Sequence, residues 1–584
     1  MKYSKLLVGL FAIAPFFVAC DDQFNPEDDN HSTEDRLLTD PYYAEGLLTY
    51  AYTLVPTYSY KFDEVGTDDA VSNVSSNGYR KIATGGWTAM NNPESVWDNS
   101  YKAIMNINKF LEIVDQVSWN SKDAVMAKAY VRRFTGESYA LRATLKYYLL
   151  RNHGGEGTSG NMLGSPIWDH FITDIAEFSN PRNTFDECVQ SINNDLDESL
   201  KYLPEAYGDV TVVPDGFSEF PLTQYNKVYG DEARQRLDAR TVKAYKVRIA
   251  LLAASPAFNK SNDAAKWTTA ADAAGKILSE NGGIAGLDPK GHLWFLKAQV
   301  EDSELSSGDR KDTKEIIWRR TQQDNNTWEM NNYPPTQYGS GQINPTQNFV
   351  DAFPMKNGYP ITDPASGYDP KKPYNNRDPR LATTVVYDKS KVRSAVINIL
   401  TGTSDDALNK VAKSTRTGYY LRKLMREDAV NCQTGKTTTA KHLIIDSRFT
   451  EMYLAYAEAA NEAWGPDGAS TYGFSARDVI GAIRKRAGLA QPDKYLESIT
   501  SKDDMRTLIR NERRLELCFE SVRFWDLRRW KADLTEPAMG IKLENGVYKT
   551  FEVEKREYDA HMIYGPIPFN DVLKFNYEQN KGWE

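Results

Sequence analysis

Apolar residues recur at steps of three and four along most of this chain, and each stretch that keeps the rhythm predicts a helix. The first runs from Pro41 to Leu54 and stops at Pro56. Trp97 to Val114 and Ala124 to Asn152 predict a long antiparallel pair, the second carrying Tyr130, Phe134, Leu141, Leu145 and Tyr148 on one stripe. Phe185 to Leu203, Ala239 to Ala254 and Asp263 to Glu280 continue the series. Small residues at the expected crossings suggest tetratricopeptide-like helical pairs, although no clean 34-residue period is present. Arg448 to Trp464 resumes the rhythm through Phe449, Met452, Tyr453, Tyr456, Ala457 and Ala460, and a partner helix follows from Asp478.

Between Asn281 and about Lys441 the rhythm fades into Gly, Pro, Asn and Tyr, with strand-like pieces at Glu315 to Arg319 and Ala382 to Tyr387. This predicts an irregular insertion. Long irregular segments on a rigid scaffold are where binding residues concentrate.

The stretch Ile509 to Trp530 sets Met505, Leu508, Leu515, Phe519 and Val522 on one predicted helical face, with Leu517 opposite and Glu512 inside the stripe. A helix covered on both sides desolvates Glu512, which then needs a cationic partner; Arg510, Arg513, Arg514, Arg523, Arg528 and Arg529 are at hand. Glu512, Glu516 and Glu520 form a carboxylate ladder of the kind a glycosidase pair would need. Ladders interleaved with arginines are more often ion-pair networks, and the rings of Trp525 and Trp530 suit arginine stacking.

Charge and composition then narrow the function. Lys and Arg total 71 against 80 acidic residues, a net of -9 that disfavours a nucleic-acid surface. Aromatics reach 12%, with 34 Tyr and 12 Trp, which permits a ring-lined binding surface and equally a Tyr-rich helical core. Cys188, Cys432 and Cys518 are odd in number and lack metal spacing, which argues against a disulfide framework.

At the N-terminus, two lysines precede an apolar run from Leu6 to Val18, too short for a stable membrane span, which predicts a cleaved signal peptide. Phe17-Val18-Ala19-Cys20 resembles a bacterial lipobox, with Phe in place of the usual Leu, so Cys20 is the expected lipidation site. The acidic, polar residues after it predict an unstructured tether and anchoring without insertion.

Several motifs fail on context. Gly155, Gly157 and Gly160 satisfy G-x-G-x-x-G, but the loop leaves a helix rather than a strand. Gly435-Lys436-Thr437 lacks the earlier glycine of a phosphate loop, the position being Val430. The six histidines include no H-E-x-x-H, and no G-x-S-x-G elbow occurs, so neither a His-based metal nor a serine nucleophile is expected. A structural calcium ion would suit the Asp and Asn of the insertion, but no ordered calcium loop supports it.

ERRLELCFESVRFWDLRRW, from Glu512, resembles the C-terminal signature of the RagB/SusD family, surface glycan-binding lipoproteins of Bacteroidetes nutrient-uptake systems. GESYALRATLKYYLLRNHGG from Gly136, ASPAFN from Ala254, PTQNFVDAFPMKNGYPI from Pro345, YNNRDPRL from Tyr374, RFTEMYLAYAEAANEAW from Arg448 and the closing YGPIPFNDVLKFNYEQNKGW are similar to further family motifs in the same order. Asp571 and Lys581 depart from the family's Glu and Pro. The resemblance implies a mainly α, SusD-like fold in which tetratricopeptide-like helical pairs form a superhelical scaffold carrying an irregular, short-strand insertion. The division expected is a leader at 1–19, a tether at 20–38, helical regions at 39–290 and 442–584, and the insertion at 291–441.

It also implies a non-catalytic protein at the exterior of the outer membrane that binds oligosaccharides and delivers them to a SusC-like TonB-dependent transporter, with no cofactor. In the family the glycan site lies among the loop after the first helix and the loops of the insertion. Here those segments offer Asp68, Asp69, Arg80 and Trp87, and Trp328, Asn331, Tyr333 and Tyr338. Trp87 follows two glycines, a setting expected to leave its ring exposed, and the second group has little helical stripe to join. Two other readings stay open, a peptide-import binder and a helical glycoside hydrolase using the Glu512 ladder.

Overall fold

Short polar side chains start the scaffold helices by accepting backbone N–H groups that the first turn leaves unpaired. Asp40 caps Pro41–Thr53, Asp123 caps Ala124–His153, Asp238 caps Ala239–Ala254 and Asp263 caps Ala264–Glu280. Thr184 and Glu187 form a reciprocal capping box at the start of Phe185–Ser199. That helix ends four residues earlier than its periodicity suggests, because Pro204 restricts the residue before it and the chain turns through Tyr202 and Leu203.

The computed structural model describes residues 34–57, 59–300 and 312–584, so Cys20, the leader and the tether through residue 33 lie outside the described residues. The described chain is mainly helical with scattered two-stranded sheets, as the periodicity predicts. None of its helices is long and apolar enough to cross a membrane. Cys188, Cys432 and Cys518 are all buried free thiols.

Helices Trp97–Ile113, Ala124–His153 and Phe185–Ser199 bury Phe110, Phe134, Leu141, Leu145 and Leu196 in one core. Ala239–Ala254 joins this core to a second. Its Val242, Tyr245, Ile249 and Leu252 face the first, whereas Ala244, Val247, Leu251 and Ala254 pack with Ala264–Glu280, Phe449–Trp464, Ala476–Arg486 and Lys502–Glu516. Two opposed stripes on one helix thus weld the N-terminal and C-terminal helices into one stack.

The Ile509–Trp530 stretch is not one helix. Lys502–Glu516 ends, the chain turns with Phe519 and Ser521 both at φ 57°, and a second helix spans Arg523–Arg529. The cause lies far away in sequence: Lys423 donates to the Glu516 and Cys518 carbonyls at 3.1 and 2.8 Å, and Arg448 donates to the Glu516 carbonyl at 2.8 Å. Buried cations from the insertion and its exit take the terminal carbonyls that another helical turn would use. Phe519 therefore leaves the helical stripe and packs edge-on against Phe62 and Phe349, at 5.6 Å from each, in a third core formed largely by the insertion.

The described part of the insertion has more regular structure than its composition suggests. The predicted strand at Glu315 to Arg319 runs longer, as Ile316–Asn325, and pairs antiparallel with Ala440–Arg448 at its far end. The predicted strand at Ala382 to Tyr387 is instead a short helix, Pro379–Thr384, followed by the strand Val385–Val386. Asp378 caps that helix and Pro379 holds its first position, a start signal that overrides the β-branched residues after it.

Candidate functional site

The loop after the first long helix and the insertion meet as a small sheet. Ala70–Ser72 pairs antiparallel with Ile343–Pro345, placing Ala70 opposite Pro345 and Ser72 opposite Ile343. Just past the sheet, the Asn73 side-chain amide donates to the carbonyls of Ser340 and Gly341 at 3.1 and 2.9 Å. The segment 326–342 is thereby fixed against the first loop by backbone and amide bonds together.

Within it, Thr327–Asn332 is a short helix and Pro335–Gln337 a single 3-10 turn that ends on Tyr338 in the left-handed region, φ 66°. The carboxylate of buried Asp406 accepts from the Thr336 N–H at 2.8 Å and from its hydroxyl, which anchors the turn. Gly339 follows because a Cβ there would sit 2.2 Å from the Tyr333 carbonyl oxygen. The strained step leaves Tyr338 52% exposed. Asn331 and Gln342, both half-buried, belong to the same segment, the Gln342 amide donating to Asn331 Oδ1 at 2.7 Å and the Asn331 amide to the Thr327 carbonyl at 2.6 Å. The segment thus carries a solvent-facing ring on a braced turn, able to stack on a flat apolar face, and two part-exposed amides of the kind that bond hydroxyls. Asn73 and Gln342 carry no sequence signal that separates them from other loop amides.

The other predicted site residues are placed differently. Trp328 and Tyr333, 4% and 1% exposed, turn inward to the insertion core, Trp328 edge-on to Phe62 at 5.4 Å. Their short helix supplies the apolar stripe that the sequence conceals. Trp87 is only 2% exposed, contrary to the expectation from its two preceding glycines. Those glycines let the chain double back, since Gly85 has φ 83° and a Cβ on Gly86 would lie 2.8 Å from the Lys81 carbonyl oxygen. The turn sends the indole into a nest of Phe524, Tyr558 and Trp583, where its N–H donates to Asn92 Oδ1 at 3.1 Å.

Asp68 and Asp69 are buried ion-pair partners. Arg523 grips Asp68 through two bonds of 3.0 and 2.8 Å, and Arg514 bonds Asp69 at 2.6 Å. Burial alone would push the Asp68 carboxyl up, but Arg514 and Arg523 outweigh it and hold the group well below the usual carboxylate range. Arg80 donates to Glu554 at 2.9 Å, an acceptor it shares with Arg416 and Arg556. These residues brace the first loop; of the rings named as site candidates, Tyr338 is the one that is exposed.

The glutamate ladder is equally occupied, although not by the arginines of its own stretch. Glu512 pairs with Arg380 and Arg484, Glu516 with Arg380 and Arg486, and Glu520 with Arg448 and Lys423. Burial pushes Glu516 up, yet Arg486 and Arg380 bring it down to about 2, so it holds no proton for general acid chemistry at neutral pH. The sign for stability follows: a folded pKa below the unfolded 4.5 adds stability above pH 4.5 that is lost as pH falls toward 2. Near pH 3, the slope of unfolding free energy against pH should be smaller by about one proton in Glu516→Gln than in the native protein. Equal slopes in urea titrations would refute this assignment. Among the described residues, no group of three or more His, Cys, Asp or Glu is arranged to hold a metal ion.

Residues 306–583 match the family model described as the SusD family, and residues 38–215 match one described as starch-binding associating with outer membrane. No curated protein matches the chain significantly in sequence. In structure it is similar to a SusD-like protein from Bacteroides fragilis NCTC 9343, with a TM-score of 0.70 and 21% identity over 94% of this chain and 98% of that one. A SusD-like carbohydrate binding protein from the same strain matches with a TM-score of 0.67 and 21% identity over 92% and 99% of the two chains. A laminarin binding SusD-like protein matches with a TM-score of 0.55 and 19% identity over 93% and 99%. At these identities the likeness is one of fold.

Proposed function

The chain belongs to the SusD/RagB family, and from that premise we propose that it captures oligosaccharides at the cell surface without cleaving them and delivers them to a SusC-like TonB-dependent transporter. Lipid on Cys20 would hold it to the outer membrane, facing the exterior; of the tether expected at 20–38, the described end is helical from Glu34 to Thr39, and the residues before it would link lipid to frame. In this reading the helices of 39–290 and 442–584 are the frame, and the first loop and the insertion present the ligand face.

The observation that carries the proposal is Tyr338. Most rings of the first loop and the insertion pack inward, whereas this one is exposed on a braced turn in the same segment as the Asn331 and Gln342 amides. A protein that only packs its loops gains nothing by exposing a tyrosine in a strained backbone conformation, whereas sugar recognition uses that pairing of ring and amides. Calorimetric titration with plant and host oligosaccharides, with each ligand recovered and checked afterwards, tests it. Saturable binding of one glycan class with the ligand intact is the expected result. Cleaved ligand, or binding of peptides and of no glycan, would overturn it.

A further inference from the structure

A cavity of about 410 Å³ lies between the C-terminal ends of helices Pro41–Thr53 and Ala124–His153 and the turn that enters Arg523–Arg529. Its mouth is formed by Thr57, Ser95 and Asn99, all exposed. Several wall charges are matched: Arg248 with Asp446 and Glu451, Arg448 with Glu520, and Arg513 and Arg529 with Asp526.

Asp63, Glu94, Arg151 and Arg528 also line the cavity, and among the described residues none of them forms an ion pair. Asp63 and Glu94 are buried, and Asp63 Oδ1 and Glu94 Oε1 have no hydrogen-bond partner. Arg528, equally buried, bonds the Phe524 carbonyl through Nη1 and leaves Nε and Nη2 without partners. Arg151 sits between the rings of Tyr148 and Trp525, at 4.8 and 4.7 Å from their centres, with Nε on Asn152 Oδ1. The four groups are within electrostatic reach: burial pushes Glu94 up to about 8 with help from Asp63, while Arg151 and Arg528 pull against it.

Two carboxyls and two guanidinium groups are thus held around a space without closing on one another, and although Arg528 lies over the rings of Phe524, Trp87 and Tyr558 at 3.4, 4.9 and 5.1 Å, part of the desolvation cost is left uncompensated at the unpartnered atoms. We propose that this cavity binds a small neutral polyhydroxy molecule, a mono- or disaccharide, at a place separate from the Tyr338 face. A hydroxyl group both donates and accepts, so it can bridge carboxyl to guanidinium, which a simple ion cannot do. A cation would lie beside Arg151 and Arg528, and an anion beside Asp63. Tyr147 and Trp525 give the walls aromatic surface against which a sugar ring can lie, and the volume falls in the range of about 300–1,000 Å³ usual for small-molecule pockets.

The test titrates the purified protein with glucose, galactose, maltose and glucuronate by ligand-observed NMR and calorimetry. One neutral sugar should bind with one site per chain, equally well in the native protein and in Tyr338→Ala. That insensitivity separates this site from the proposed glycan face. Arg151→Gln should weaken the sugar about 10-fold, as expected for a lost bond to a charged group, and Tyr147→Phe about 3-fold. Tyr147→Phe removes one hydroxyl from an otherwise intact ring, so it decides the matter if Arg151→Gln does not fold. No saturable binding of any of the four sugars, binding unaffected by either cavity variant, or tightest binding of glucuronate would each overturn the proposal.

Discussion

Replacing Tyr338 by alanine is expected to weaken glycan binding by about 10- to 30-fold while leaving the melting temperature unchanged. The first half rests on the ring being the one exposed aromatic among the described candidate residues of the proposed face; truncating a central aromatic contact commonly costs about 2 kcal/mol, which is roughly 30-fold in affinity. The second half rests on its exposure of 52%, because surface truncations of that kind usually change stability by less than about 0.5 kcal/mol. Alanine at φ 66° meets the same backbone penalty as tyrosine, so the turn itself should survive. Tyr338→Phe keeps the ring and should retain most of the affinity. Calorimetry with the glycan identified in the titration panel reads both variants. Unchanged affinity in a folded Tyr338→Ala protein would remove this face from the account.

Glu512→Ala should produce the largest loss of stability, about 3–5 kcal/mol in unfolding free energy. Glu512 is fully buried, and its two oxygens accept from Arg380 at 2.8 Å and Arg484 at 2.9 Å. Both guanidinium groups are themselves buried, and although Arg380 keeps Asp378 and Glu516 and Arg484 keeps Asp493, removing the carboxylate takes one charged bond from each where solvent does not reach. By contrast, the exposed pair Lys494–Glu497, screened by solvent, should contribute little. Glu512→Gln retains shape and one acceptor and should fall between the native protein and alanine. Urea unfolding followed by circular dichroism measures all three, and a loss below about 1 kcal/mol for alanine would show that the network does not act as a unit.

Helices were legible where periodicity and caps agree, as for Ala239–Ala254, whose bounds follow from its apolar steps and from Asp238. What escaped local reading was anything decided by a distant partner. The break after Glu516 depends on Lys423 and Arg448, and no pattern within the stretch announces it. Trp87 offers the same lesson at the site: two glycines mark a turn, but which way the ring then points is fixed by Trp583, almost five hundred residues later. Glu512 was correctly expected to need cations, yet Arg380 and Arg484 come from outside its own helix, because arginines neighbouring it in sequence point elsewhere around the cylinder. Tyr338 could be nominated by composition, while its separation from Trp328 and Tyr333 depends on the left-handed turn.

The pairing of Ala70–Ser72 with Ile343–Pro345, and of Asp68 and Asp69 with Arg523 and Arg514, has a further consequence for the order of assembly. Closing loops of that length must precede the contacts that repay the entropy lost, so these are among the slowest contacts to form. A chain that emerges N-terminus first can stack its early helices on local contacts alone, but its ligand face waits for the last tenth or so of the polypeptide. Incompletely synthesised or C-terminally clipped copies would be helical and compact yet inert, so that the capacity to bind becomes a record of the chain having been finished.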